Sequence, residues 1–305
     1  MSEKKATRRA YGEYLVELGK THPEIVVLDA DLADATFTKL FKAAYPERFF
    51  DCGIAEANMI DMAAGLSTMG LVPFASTFAV FGTGRAYDQI RNGVAYSNFN
   101  VKLAFSHAGV TTGADGGSHQ SIEDIALMRV IPNMTVIVPA DEGETRKAMD
   151  AALKINGPVY IRLARMDTNI LPEHDFEVGK ASVLRDGNDA ALICCGVTVD
   201  QCLEAAGKLA AEGISAAVIN MHTIKPLDSE TVLSYARKCR KVITVEDHSV
   251  IGGLGEAVAS VLCGRSGFEF RMLGVQDRFG QSATPAELLH EYGFDCETIV
   301  NAVKE

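Results

Sequence analysis

Two histidines and an acid share one short glycine-rich stretch of this 305-residue chain. It reads Ser106-His107-Ala-Gly109, then Val-Thr-Thr, then Gly113-Ala-Asp115-Gly-Gly-Ser-His119-Gln120. Imidazoles with a carboxylate between them can move protons near neutral pH and hydrogen-bond hydroxyl groups. Glycines let such a loop turn sharply and pass close to a ligand. A metal site is a competing reading, but the gap from His107 to His119 is no usual ligand spacing. A purely structural use, with each side chain satisfying loop backbone groups, stays open on spacing alone.

A second chemistry-bearing stretch is Asp51-Cys-Gly-Ile-Ala-Glu56-Ala-Asn-Met59. Gly53 can begin a helix there, which puts Glu56 in the first turn. The carboxylate then either answers the orphan N–H groups and the positive end of the helix dipole, or stands in an apolar wall. In the second case burial raises its proton affinity and it acts on a ligand nitrogen. Phe78 and Phe81, in Ser76-Thr-Phe-Ala-Val-Phe81, pack in a core by default; alternatively they stack a flat heteroaromatic ring. Arg8 and Arg165 carry the group suited to bidentate capture of phosphate. Arginines at such positions are otherwise solvated or salt-bridged.

The elements that must position these residues follow from the apolar pattern. Strands are expected at 25–28, 48–52, 71–75, 101–105, 135–138 and 159–162. Helices are expected at 6–18, 36–44, from Gly53 onward, and at 85–96, 122–129 and 141–153. Such alternation predicts βαβ units on a parallel sheet, with ligands beyond the carboxyl ends of the strands. Asp31, Gly53–Glu56, Phe78 and His107 each follow a strand end, so four loops should converge on one edge.

Residues 167–180 read as a linker, and a second, smaller alternating unit follows, ending in a strand at 269–273. The expected fold class is α/β in two domains, 1–172 and 173–305, each a mostly parallel sheet flanked by helices. Gly252-Gly-Leu-Gly255 lacks a phosphate-loop spacing and reads as a tight turn into a helix.

Composition bounds the partners. The chain is 48% hydrophobic and 23% charged, ordinary for a soluble protein with a sizeable core. A net charge of −11 without a long basic run argues against nucleic acid and anionic membrane surfaces. Seven scattered cysteines without a Cys-x-x-Cys pair fit a reducing cytoplasm, with Cys194 and Cys195 packing as small hydrophobes. No apolar run reaches membrane-spanning length, and the N-terminus is not a secretory signal.

The motifs together carry a family resemblance. Asp29-Ala-Asp-Leu32, Gly53-Ile-Ala-Glu-Ala-Asn-Met59, Ser76-Thr-Phe-Ala-Val-Phe81, Tyr87-Asp-Gln-Ile-Arg91, Ser106-His-Ala-Gly109, Gly113 to Gln120 and Ile161-Arg-Leu-Ala-Arg165 are all present. From Ala6 to the C-terminus the chain resembles the pyrimidine-binding and C-terminal domains of transketolase, a thiamine-diphosphate enzyme. That resemblance implies transfer of a two-carbon ketol unit from a ketose phosphate to an aldose phosphate. It implies that Glu56 hydrogen-bonds N1′ of the aminopyrimidine, favouring the imino tautomer whose exocyclic nitrogen takes the thiazolium C2 proton. By the same resemblance Phe78 and Phe81 hold the pyrimidine and Asp31 lies near the thiazolium. His107, Asp115 and His119 would bond sugar hydroxyls, His119 would also transfer a proton, and Arg8 and Arg165 would grip the sugar phosphate. The expected catalytic groups are Glu56, His107 and His119.

Family members also carry a preceding diphosphate-binding domain, whose Gly-Asp-Gly motif and downstream Asn complete a magnesium site. No such pair occurs here; Asp186-Gly-Asn188 is the nearest string and sits in a turn. The expected protein is therefore the C-terminal subunit of a split transketolase, with no metal ligand of its own. An N-terminal subunit on a separate chain would bind Mg2+ and the diphosphate, in a heterotetramer. The segment Phe81-Gly-Thr-Gly84 also lacks a third aromatic found in some members.

Three alternatives compete. 1-Deoxyxylulose-5-phosphate synthase shares Arg85-Ala-Tyr-Asp-Gln89 and Gly-Ala-Asp-Gly, but an arginine usually takes the place of His107. The β subunit of a 2-oxo-acid dehydrogenase would lack the His107 to His119 loop. A non-catalytic assembly module would be expected to lose Glu56 or the histidines.

Overall fold

Ile25-Val-Val-Leu-Asp29 and Ala190-Ala-Leu-Ile-Cys194 are apolar or small at nearly every position, and both are buried along their whole length. A strand of that kind needs cover on both faces, which crossover helices of a parallel sheet supply. The computed structural model describes residues 4–305; residues 1–3, where the charged N-terminus and the first expected domain begin, lie outside the described residues.

The first half runs β1 (Lys4–Ala6), α1 (Thr7–Thr21), β2 (Ile25–Asp29), α2 (Ala33–Thr36), α3 (Lys39–Ala44) and β3 (Phe49–Asp51). It continues with α4 (Glu56–Ser67), β4 (Val72–Ser76), α5 (Ala79–Arg85), β5 (Lys102–Phe105), α6 (Asp124–Arg129) and β6 (Thr135–Ile137). Then come α7 (Glu142–Lys154), β7 (Val159–Arg162) and β8 (Asp167–Asn169). The second half holds β9 (Ser182–Arg185), β10 (Ala190–Cys194), α8 (Thr198–Ala211), β11 (Ala216–Asn220), β12 (Thr223–Lys225) and α9 (Ser229–Lys238). It closes with β13 (Lys241–Ser249), α10 (Leu254–Leu262), β14 (Glu269–Val275), α11 (Pro285–Glu291) and α12 (Cys296–Lys304).

The larger sheet has the order β12-β6-β7-β5-β4-β2-β3 and is parallel from β6 to β3. Its edge strand β12 runs antiparallel and comes from the second half of the chain. The smaller sheet, β14-β13-β10-β11-β9, is parallel except at β9. Two mostly parallel sheets flanked by helices are thus present, as expected. The carboxyl ends of β2, β3, β4, β5 and β7 lie along one edge, and the loops after them carry the candidate residues.

Several local expectations change. Residues 36–44 do not form one helix: Phe37 adopts a left-handed conformation (φ 63°) and separates α2 from α3. The helix expected at 85–96 is instead the end of α5 followed by a π-helical turn, Gln89–Ala95. The expected linker at 167–180 begins as β8, which pairs antiparallel with β1. That two-stranded ribbon, with the Thr7 hydroxyl accepting from Ala164 N–H at 2.7 Å, sets Arg8 beside Arg165. The chain does not end in a strand at 269–273: α11 opens on a capping box between Thr284 and Glu287, and α12 on an Asp295 cap. Gly252 and Gly253 lead into α10, where the Leu254 and Gly255 N–H groups both donate to the buried Glu246 carboxylate. An internal acid thus takes the place an anion would use, consistent with a tight turn.

The two halves meet through buried charge. Arg162, at the end of β7, is bidentate to Asp124 (2.6 and 3.1 Å) and donates to the Asp247 carbonyl at 2.8 Å. Tyr160 OH also donates to Asp124, at 2.6 Å. Burial works to raise the Asp124 pKa, but Arg162, with His248 and Tyr160, brings the carboxyl below its ordinary value. Removing one partner of a buried pair strands the other charge, which typically costs 3–5 kcal/mol (roughly), whereas replacing both with apolar groups costs far less. Arg162→Met should therefore lower stability in urea unfolding by about 3 kcal/mol or more, and adding Asp124→Leu should restore part of it. A single-variant loss under about 1 kcal/mol would mean that this buried pair, with the bond Arg162 makes across to the Asp247 carbonyl, adds little to stability.

Candidate active site

The loop after β5 begins with His107, itself in a left-handed conformation (φ 59°) that throws the next residues back toward the second half. There the buried Asp247 carboxylate accepts from the N–H groups of Val110 (2.8 Å) and Thr111 (3.2 Å) and from the Thr111 hydroxyl. Gly109 must be glycine here: its φ is +83° and a Cβ would stand 2.1 Å from Asp247 Oδ2. Further along, the buried Gln120 amide donates to the Val110, Gly113 and Gln281 carbonyls. The loop that bears Asp115 and His119 is therefore fixed at both ends.

His107 is 2% exposed and stacks on Phe78, ring centroids 3.6 Å apart. Its Nε2 lies 3.4 Å from Arg8 Nη1 and its Nδ1 2.8 Å from Ser106 Oγ. A guanidinium can only donate, so Nε2 accepts and Nδ1 carries the proton. Burial pushes the His107 pKa down to about 3, with Arg8, Arg165 and His119 acting in the same direction. The ring is neutral.

Phe78 continues the column: it stacks on Phe81 at 5.6 Å and 16°, and His119 stands edge-on to both rings at 6.2 and 5.3 Å. The Arg85 guanidinium lies over Phe81, 4.0 Å from its centroid, and donates to Glu56 Oε1 at 2.8 Å. Glu56 begins α4 and is 4% exposed. Glu56 stands in the first turn as expected, but no side-chain hydrogen bond caps this helix start, and the carboxylate pairs with Arg85 instead. Sequence reasoning left Arg85 out of the site, although it follows Phe81 by four residues on a helix, the spacing at which side chains meet.

At the other end of the column Arg8 Nη1 donates to the Ala35 carbonyl at 2.8 Å. Its Nε is buried with no hydrogen-bond partner. Burial and the nearby Arg165 lower the Arg8 pKa. Arg165 Nη1 donates to the Thr112 carbonyl at 2.5 Å and pairs with Asp115 at 3.3 Å. Both arginines line a cleft of about 1460 Å³ between the halves, to which α8 and the start of α11 contribute Leu203 and Pro285. The Glu56 end lies outside that cleft. Asp31 is exposed with φ 60°, while its neighbour Asp29, two residues earlier, is buried. Asp29 accepts from Leu32 N–H and from the Thr36 and Thr38 hydroxyls, and burial pushes its pKa up to about 6. It shapes the loop that presents Asp31 and the Ala35 carbonyl.

The structure thus brings Arg8, His107, His119, Phe78, Phe81 and Glu56 into one continuous series, with Arg165 and Asp115 beside Arg8. Chemically the series offers at one end a buried carboxylate joined to the aromatic column through Arg85, and at the other a cationic pair with an unpaired N–H. That donor set fits a flat nitrogen heterocycle and an anionic group. Among the described residues no cluster of three or more His, Cys, Asp or Glu could hold a metal ion.

Comparison with known proteins points the same way. Residues 3–170 match the family described as transketolase, pyrimidine binding domain, and residues 179–299 match transketolase, C-terminal domain. The 6-deoxy-6-sulfo-D-fructose transketolase subunit SqwH of Clostridium sp. (strain MSTE9) is 44% identical over 98% of this chain and 93% of its own length. Homo sapiens transketolase is 42% identical over the whole of this chain, which spans 49% of that protein. Among solved structures, a split gene transketolase described as an inactive β4 tetramer superposes with a TM-score of 0.88. It is 51% identical, covering 98% of this chain and 97% of its own.

The neutral state of His107 has a pH consequence. Its folded-state pKa, about 3, lies below the ordinary 6.5, so between those values only the unfolded chain takes up this proton. Its stabilising contribution is complete above 6.5 and is lost as pH falls toward 3. Wild type should lose about 2 kcal/mol more than His107→Asn between roughly pH 7 and roughly pH 5 in urea unfolding. The difference between the two chains is what matters, since burial pushes His222 and His248 down to about 4 in both. Parallel pH profiles would show that the folded ring accepts the proton.

Proposed function

The chain belongs to the transketolase family, and from that premise we propose that it is the C-terminal subunit of a two-chain, thiamine-diphosphate-dependent transketolase. In this reading it moves a two-carbon ketol unit from a ketose phosphate to an aldose phosphate. An N-terminal subunit supplies the diphosphate and Mg2+ site, and two copies of each chain form a heterotetramer. Near full-length similarity to a protein named as a transketolase subunit supports the separate-chain reading. A cytoplasmic location suits seven free cysteines. Residues 1–172 and 173–305 are the proposed pyrimidine-binding and C-terminal domains.

The observation that carries the proposal is Glu56, removed from water at the head of an aromatic column whose far end is a cationic pair. Thiamine diphosphate, when bound, supplies the centre that stabilises the ketol carbanion. Glu56 hydrogen-bonds the N1′ nitrogen of the aminopyrimidine and governs its tautomer. Phe78 and Phe81 hold that ring by stacking and keep water from it. Asp31, exposed after β2, would lie near the thiazolium. His107, neutral and with Nε2 free to accept once Arg8 turns to a ligand, takes a hydrogen bond from a sugar hydroxyl. Asp115 accepts another. His119, partly exposed, gives and takes the proton. Arg8 and Arg165 hold the phosphate, which gives the buried Arg8 Nε a partner.

Ketol transfer between sugar phosphates should be negligible for this chain with thiamine diphosphate and Mg2+, and should appear when an N-terminal subunit carrying a Gly-Asp-Gly motif is added. In the assembled enzyme Glu56→Gln should lower kcat by about 100-fold or more with the fold intact. Robust turnover by the chain alone refutes the split-site reading; near-normal kcat in the Gln variant removes Glu56 from the mechanism.

A further inference from the structure

The Arg85 guanidinium makes two contacts at once. It lies over the Phe81 ring, 4.0 Å from its centroid, and it donates to Glu56 Oε1 at 2.8 Å. These are the two contacts asked of the aminopyrimidine in the proposed function: a planar group stacked on the ring wall, and a nitrogen bonded to the Glu56 carboxyl. Guanidinium and aminopyrimidine are both flat, delocalised and rich in N–H. We infer that Arg85 occupies the pyrimidine seat in the free chain and must swing out before the cofactor ring can enter. The inference rests on the seat proposed above.

Arg85 is built to do both. Glu56 is buried, and an unpaired charge there is costly, so the chain without cofactor needs a partner for it. Arg85 can leave cheaply: its side chain is 50% exposed, at the C-terminal end of α5. Beyond it Ala86 is buried and Tyr87 partly so, so the helix stays anchored while the guanidinium reaches solvent. Gly84, just before it, meets no atom within 4 Å of an added Cβ, which leaves room on the outer side for the side chain to turn. A device of this kind weakens cofactor binding to the unassembled chain and keeps Glu56 satisfied until the ring arrives.

Thiamine, which carries the aminopyrimidine without the diphosphate, is the probe. Titrated calorimetrically into the full chain, it should bind folded Arg85→Gln about tenfold tighter than wild type, a shift of one ion pair's size. Arg85→Lys, which keeps the charge but not the flat group, should fall between them. Adding Glu56→Gln should abolish the gain. Equal affinity for wild type and R85Q, lost in both with Glu56→Gln, overturns the gate and leaves the seat. Binding that ignores Glu56 in either background overturns the seat itself. Weaker binding to R85Q, or none although its melting curve shows it folded, also overturns the gate. The seat is then judged by the dependence of the assembled enzyme on Glu56.

Discussion

The loop that carries His107, Asp115 and His119 takes its shape from a carboxylate on the other half of the chain. Asp247 receives three hydrogen bonds from Val110 and Thr111, and its own carbonyl accepts from Arg162, which is locked to Asp124. A glycine-rich loop left to itself samples many conformations, because glycine gives little preference to any. Here the entropy cost of holding it is met by charge-assisted bonds in a buried setting, where they are strong. Burial raises the Asp247 pKa, with Arg162 and the three donors opposing, so the clamp works only while those partners stay in place. The second domain is therefore a structural requirement of the first domain's chemistry.

The opposite end of the column obeys a different constraint. Glu56 cannot be both buried and alone, and the chain answers with a cation that is only half buried. That asymmetry matters. Arg162 serves Asp124 from a fully buried position, makes further bonds and has no route out. Arg85 serves Glu56 from the rim with one hydrogen bond and one ring contact. The first arrangement is architecture, and the second is suited to exchange for a ligand.

The parallel sheet and the edge on which the site gathers were legible because apolar runs such as Ile25-Val-Val-Leu28 leave few alternatives, and strand ends place their loops by topology. The β1–β8 ribbon was not, since three-residue strands such as Lys4-Lys-Ala6 and Asp167-Thr-Asn169 carry no period to detect. Strand β12 is equally short and joins the sheet of the other half, a long-range pairing that local sequence does not encode. The two last helices did leave a signal: Thr284-Pro-Ala-Glu287 is a capping box with Pro at the first helical position, and Asp295 precedes an apolar-periodic run. Asp29 and Asp31 look alike in sequence; only the fold shows that one is an internal acceptor and the other faces outward. Glu56 and Arg85 stand twenty-nine residues apart on different helices, and nothing local links them.

The electrostatics around Arg8 bear on why His107 is held neutral. Arg8 and Arg165 repel each other and Arg8 keeps an unpaired buried N–H, while Asp167 and Asp115 offset the charge on Arg8 only in part. A charged imidazolium stacked on Phe78 would add a third cation beside two arginines that already repel each other. Keeping the ring neutral fixes its tautomer, since Nε2 must accept from a guanidinium that can only donate. An anionic ligand at the two arginines would relieve their repulsion and draw Arg8 from His107, which frees Nε2 to accept from a hydroxyl on the same molecule. Binding of such an anion and readiness of the imidazole would then be one event, because the same guanidinium contacts His107.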